Sequence, residues 1–181
     1  MLGRLCRSRE FRLKLQKSRN RLYRLAYSWC HVPELADDLT QDTLSKALKQ
    51  SAQLKDLEAM DSWLFRILSN CWHDHLRAKR ETMIYDEELH QHQATPELLN
   101  LRLQEIDRVR RAVAALPESQ RQVITLVDIE GCRYAEVANI LELPIGTVMS
   151  RLCRARSALK ERLHASSSTS QPRVVPLRRS K

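Results

Sequence analysis

The sequence predicts an all-α protein, two small helical bundles joined by a flexible linker, and three observations carry that reading. Glycine occurs only 3 times in 181 residues, and few stretches alternate apolar with polar side chains as half-buried strands do. Apolar residues recur instead at spacings of three and four, the period of one buried helix face. That periodicity fades once, from Glu81 to about Asn100, and then resumes.

Taken in order, Leu22, Leu25, Ala26 and Trp29 form the buried stripe of a first helix, which ends near His31 because Pro33 interrupts the pattern. A second helix is expected from about Glu34 to Gln50, with Ala36, Leu39, Thr43 and Ala47 on one side and acidic residues on another. After a polar loop a third begins near Met60, with Leu64, Ile67, Leu68 and Cys71 inward and Arg66, Asn70, His73, Asp74 and Arg77 on other faces. Trp63 and Trp72 also fall in this helix, where an aromatic at helical spacing is a core residue more often than a base-stacking platform, and neither is given a binding role. Residues 1–80 therefore suffice for one bundle.

Residues 81–101 are polar, rich in acid and broken by Pro96, the composition of a linker. The second bundle is expected over 102–165. Val109, Val113 and Leu116 form its first short stripe, and Pro117 followed by Glu118 starts another helix that Gly131 stops. The last segment, 166–181, mixes serine, proline and arginine without an apolar face, so a disordered basic tail is expected.

Charge narrows the function. Lysine and arginine exceed aspartate and glutamate by 31 to 22, giving a net charge of +9 and a pI of about 9.7, which favours a polyanionic partner. Basic residues crowd Arg4 to Arg24, Arg66 to Arg80 and Arg151 to Arg162, whereas acids gather at Glu34 to Asp42 and at Asp86 to Glu88. That separation predicts one face for nucleic acid and another for protein. No apolar run approaches the ~20 residues of a membrane span. Five scattered cysteines without a CxxC pair, and no secretory leader, point to a reducing cytoplasm.

The most informative segment is "GCRYAEVANILELPIGTVMSRLCRARSALKERL". A helix with Val137, Ile140 and Leu141 inward meets, through a Leu143-Pro144 turn, a longer helix whose apolar side is Val148, Leu152, Ala155 and Leu159. This is the layout of a helix-turn-helix. The second helix carries Thr147, Ser150, Arg151, Arg154, Arg156 and Lys160, donors suited to phosphates and to guanine edges in a major groove.

With its flanks, "LPESQRQVITLVDIEGCRYAEVANILELPIGTVMSRLCRARSALKERL" resembles region four of the extracytoplasmic-function (ECF) group of RNA polymerase sigma factors, including a PxGTVxSRLxRAR signature. Upstream, "ELADDLTQDTLSKALK" resembles the core-polymerase-binding helix of region two, and "MDSWLFRILSNCWHDHLRAKRE" the helix that opens and reads the minus-ten element. The resemblance spans about residues 10–164 and leaves no room for region one or a full region three, as in the short ECF architecture.

That resemblance implies an alternative sigma factor that binds core RNA polymerase and directs promoter-specific initiation. It places Asp38, Leu39, Gln41, Asp42 and Thr43 against the clamp coiled coil of the largest catalytic subunit, with region four at the flap. Asn70, His73 and Asp74 fall on the minus-ten face, with Arg77, Lys79 and Arg80 following phosphates and the loop from Gln50 to Asp56 closing over a flipped base. Thr147 lies on the reading helix, and Met149, Ser150, Arg151, Cys153 and Arg154 take the minus-35 reading positions. Met149 stands where the family often has a lysine or arginine, and Arg133 where it often has a serine or threonine cap worth ~1 kcal/mol, so promoter sequence does not transfer from relatives. The group is commonly held inactive by an anti-sigma factor, and the free protein is expected to be a cytoplasmic monomer that joins the nucleoid in holoenzyme.

No Ser-His-Asp, P-loop or paired-carboxylate pattern points to an enzyme, so no catalytic residue, metal or cofactor is expected. His73 and His75 stand two apart on a helix and face different ways, which makes a shared ion a poor reading. Lone cysteines are more often packed than redox-active. The alternative is a conventional helix-turn-helix regulator binding duplex DNA as a dimer. The "DDLTQDT" segment and the basic Asn70 to Arg80 helix favour sigma, since a plain regulator needs neither.

Overall fold

The computed structural model describes residues 2–82 and 101–168, and the side chains of 9–80 and 106–164. Among these residues every regular element is a helix: α1 (Leu2–Cys30), α2 (Pro33–Lys49), a 3-10 turn (Ser51–Gln53), α3 (Met60–Thr82), α4 (Leu101–Ala114), α5 (Glu118–Ile124) running into a π-helical turn (Thr125–Ile129), α6 (Tyr134–Leu141) and α7 (Ile145–Ser168). The linker read over 81–101 lies outside the described residues apart from its two ends. The segment read as a disordered tail is helical for its first three residues, Ser166 to Ser168, and otherwise lies outside them too.

The first bundle follows its apolar stripes. Phe11, Leu15, Leu22, Leu25, Ala26 and Trp29 of α1 are buried against Ala36, Leu39 and Ala47 of α2 and Leu64, Phe65, Ile67, Leu68 and Cys71 of α3. Helix α1 stops at His31, which takes the left-handed conformation (φ 55°) and returns its N–H to Tyr27 O at 2.8 Å. Pro33 then opens α2, where a missing N–H costs nothing. Glu34 in the first turn of α2 and Lys46 and Lys49 in its last complement the helix dipole.

In the second bundle Leu116, Val123, Ile124, Leu126, Val137, Ile140, Leu141, Val148, Leu152 and Ala155 are buried. The stripe expected for α4 is partly displaced: Val113 and Leu116 are buried, but Val109 is 43% exposed. At the helix-turn-helix, Glu142 takes a left-handed conformation (φ 54°) and Leu143-Pro144 completes the turn. Arg133 supplies no side-chain cap, since a guanidinium cannot accept a hydrogen bond. Its own N–H donates instead to Glu136 Oε2 at 2.7 Å, so half of a capping box survives.

The two bundles do not stand apart. Their buried side chains form one continuous cluster, and polar contacts reinforce the junction. Trp29, fully buried on α1, donates its indole N–H to Thr125 Oγ1 at 2.9 Å. Thr125, also fully buried, passes its proton to Arg121 O and Gln122 O, so none of this group is left unsatisfied. Arg121 Nη1 donates to Trp29 O at 2.9 Å. Arg21 on α1 is gripped by Glu130 of the second bundle and Asp61 of the first while its guanidinium lies 5.0 Å from the Phe65 ring centre. Glu130 N–H returns to Thr125 O at 2.9 Å, the five-residue step that widens the helix into a π turn at this contact.

Candidate polymerase and promoter surfaces

Helix α2 presents a narrow acidic face. Asp38, Gln41 and Asp42 are exposed, and neither carboxylate has an ion-pair partner among the described residues. Asp37, one position away, is held by Arg19 at 3.6 Å. Leu39 and Thr43 do not join this face. Leu39 is 3% exposed and Thr43 fully buried, with Thr43 Oγ1 bonded to Leu39 O at 2.7 Å and lying 3.8 Å from Cys71 Sγ. They fall on the same stripe as Ala36 and Ala47, so they hold α2 to the bundle and cannot touch a partner without unpacking it. The apolar side chain this face does offer is Leu48, 51% exposed and two helical turns beyond Gln41. Sequence reading missed it, although it continues the 41, 45, 48 row.

On α3 the residues expected at the minus-ten element divide. Asn70, Asp74, Arg77, Lys79 and Arg80 are exposed, with Asp74 shared between Lys46 at 3.5 Å and Arg77 at 3.6 Å. His73 is half-buried, its Nε2 3.3 Å from the Gln122 amide nitrogen of the second bundle. Trp72 packs beneath it, donating to Glu118 Oε1 at 3.1 Å and stacking on His75 with ring centres 5.8 Å apart. Trp63 meets Phe11 edge-on at 6.4 Å. Both tryptophans thus serve packing, and His73 and His75 do face different neighbours. In the loop from Gln50 to Asp56 only Leu54 is buried.

On α7 the expected minus-35 residues lie open. Met149 is 51% exposed, Ser150, Cys153 and Arg154 are exposed, and Thr147 and Arg151 are half-buried. Arg154 folds back onto its own helix, Nε to Ser150 O at 3.2 Å, a local contact readily exchanged for a base or phosphate. Arg156 is committed elsewhere: it grips Asp128 through two bonds of 3.1 and 2.6 Å, and that carboxylate raises its already high pKa. It braces α7 against the π turn.

Two thiols are chemically quiet. Burial pushes Cys132 up to about 11, with Glu136 adding to the effect, and burial likewise raises Cys30. Among the described residues no group of three or more histidines, cysteines or carboxylates is placed to hold a metal, and no helix is long and apolar enough to cross a membrane.

Two family profiles match this chain in order: Sigma-70 region 2 over residues 15–82 and Sigma-70, region 4 over residues 106–159. The RNA polymerase sigma-H factor of Pseudomonas aeruginosa is 29% identical, with 86% of each chain covered. The ECF RNA polymerase sigma factor EcfG of Rhodopseudomonas palustris is 31% identical, with 71% of each covered. Among solved structures, the sigma factor RpoE in complex with the anti-sigma factor NepR from Bartonella quintana superposes with a TM-score of 0.70 at 31% identity, covering 86% of this chain and 97% of that one.

Proposed function

Since this chain belongs to the ECF group of sigma-70 factors, which give core RNA polymerase its promoter specificity, we propose how its surfaces divide that work. The α2 face of Asp38, Gln41 and Asp42, with Leu48 as apolar anchor, docks on the polymerase clamp. Carboxylates around an exposed leucine suit a basic, partly apolar partner surface. Helix α3 holds the melted minus-ten strand through Asn70, Asp74, Arg77, Lys79 and Arg80, and α7 reads the minus-35 element through Thr147, Met149, Ser150, Arg151, Cys153 and Arg154. The flap receives the second bundle. The work is differential binding, carried out in the cytoplasm and, within holoenzyme, on the nucleoid.

The observation that carries this reading is the pairing of two family regions, in order, with two helical bundles in which the cations Arg77 and Lys79 of α3 and Arg154 of α7 are exposed. The packed arrangement is not the promoter-bound one. Elements centred about 25 base pairs apart lie ~85 Å from one another at 3.4 Å per pair, whereas a compact body of this length is only ~40 Å across. The junction at Trp29 and Thr125 must therefore open for both elements to be read together. A free, closed form of this kind suits capture by an anti-sigma factor, and the likeness to a sigma factor solved with one supports such control here.

Run-off transcription with purified protein and sigma-free core polymerase tests the assignment. Defined transcripts should need both components and should fade when Asp38→Ala and Asp42→Ala are combined. Tight, specific duplex binding by the protein alone, with no transcripts, would instead identify a conventional regulator.

A further inference from the structure

Two cations at the junction have a carboxylate partner across it. Arg21 meets Glu130 and Asp61, and Arg66 meets Glu142 at 2.7 Å. One place differs. Where the C-terminal part of α3 approaches α5, the α6–α7 turn and the start of α7, a cavity of about 460 Å³ is lined by His73, Arg80, Glu118, Ser119, Gln122 and Arg151, with Leu141 and Leu143 at its wall. Arg80 and Arg151 come from different bundles, and neither has a hydrogen-bond or ion-pair partner among the described residues. The only carboxylate in the lining, Glu118, already accepts the Trp72 indole N–H.

Glu118 offsets one of the two guanidinium charges at most, so the lining keeps a net positive charge that a bound anion would balance. Guanidinium forks match phosphate oxygens two at a time, and the Ser119 hydroxyl and Gln122 amide can add neutral donors. We propose that this cavity is a binding site for a small phosphoryl anion, complete only when the two bundles are packed, so that the bound anion holds the closed arrangement shut. The volume admits a phosphoryl anion with its hydration water and excludes a duplex. The inference rests on the packed arrangement and not on the promoter assignment, and its test is binding to the free chain, so a failed transcription assay does not overturn it.

Calorimetric titration of the full chain with pyrophosphate, at fixed ionic strength in magnesium-free buffer, tests the site. One saturable event per chain is expected. Arg80→Ala and Arg151→Ala should each weaken it by roughly tenfold or more, the loss of a charge-assisted hydrogen bond. Arg24→Ala, exposed on α1 and outside the lining, should stay within about twofold. An effect that never saturates, that chloride reproduces, or that all three variants share equally overturns the proposal. A short single-stranded oligonucleotide forms the second arm: binding that needs both arginines while pyrophosphate is silent assigns the pocket to backbone phosphate and overturns the small-anion reading. Amide exchange over residues 121–132 reads the locking. Pyrophosphate should slow it in the parent chain and leave Arg151→Ala unchanged, and binding without slowing would show that the anion does not hold the bundles together.

Discussion

Helices α3 and α7 both carry exposed cations, but they stand in different relations to the rest of the molecule. Of the residues proposed to read duplex DNA on α7, Met149 is 51% exposed and Arg154 is bonded only to its own helix, while Arg151 is half-buried at the cavity against α3. Helix α3 is hemmed in by the second bundle: His73 lies against Gln122, Trp72 donates to Glu118, and Arg66 is paired with Glu142. On the proposed assignment, the closed chain therefore leaves most of the duplex-reading residues open and covers more of α3. On that assignment the use of α3 is coupled to opening of the junction.

The largest perturbation of that contrast is Trp29→Ala. It empties a fully packed aromatic position and removes the donor to Thr125, and it should cost ~3–5 kcal/mol in urea unfolding. Because the two bundles share one cluster, the whole chain should unfold in a single transition at lower urea. A first bundle that melts early while the second keeps its midpoint would show that the junction does not couple them.

Glu130→Gln attacks the junction without touching the cluster. Arg21 keeps Asp61 and the carbonyl of residue 130 but loses its nearly buried carboxylate, and since about a third of Arg21 remains exposed the cost should lie near ~1–2 kcal/mol. The sharper readout is differential. Affinity for single-stranded minus-ten DNA should rise severalfold as α3 is uncovered, while duplex binding through α7, where Arg151 alone lines the junction cavity, should change much less. Equal changes at both helices would remove the distinction drawn between them.

Much of α7 was legible because its determinants are local. Val148, Leu152 and Ala155 repeat at helical spacing, and residues between them must then face outward. The same period was the better guide on α2, where it buries Leu39 and Thr43 with Ala36 and Ala47 although family likeness places both on the contact face. Trp29 could be read as buried from its stripe, but not what would cover it. Arg21 and Glu130 meet across 109 positions, and nothing in a run of basic residues marks one arginine as the latch. The packing of α3 against the second bundle is a tertiary fact of this kind, as is the exposure of Val109 on α4.

Cys132 sits beside the latch and makes the junction sensitive to alkali. Its folded pKa, about 11 against an ordinary 9.0, is raised, so the folded state retains the proton that the unfolded chain gives up. The stabilising contribution is complete below pH 9, declines between 9 and 11, and is gone above. Discounted for a half-exposed group, it amounts to about 1 kcal/mol. The parent chain should therefore lose stability faster than Cys132→Ala as pH rises through that window, and parallel curves would place the thiol outside the coupling.

Met149→Arg has the smallest expected effect on stability and probes the open side of the comparison. A half-exposed side chain on the free face of α7 can lengthen and gain charge within ~0.5 kcal/mol of folding stability. Its effect belongs to DNA: one further phosphate contact steepens the slope of log affinity against log salt by ~0.9 and raises duplex affinity at low salt. Binding of the minus-ten strand should not respond, because α3 and its cover are untouched. If the added charge tightens single-strand binding as well, the two surfaces act as one field; if it destabilises the fold, α7 is not free.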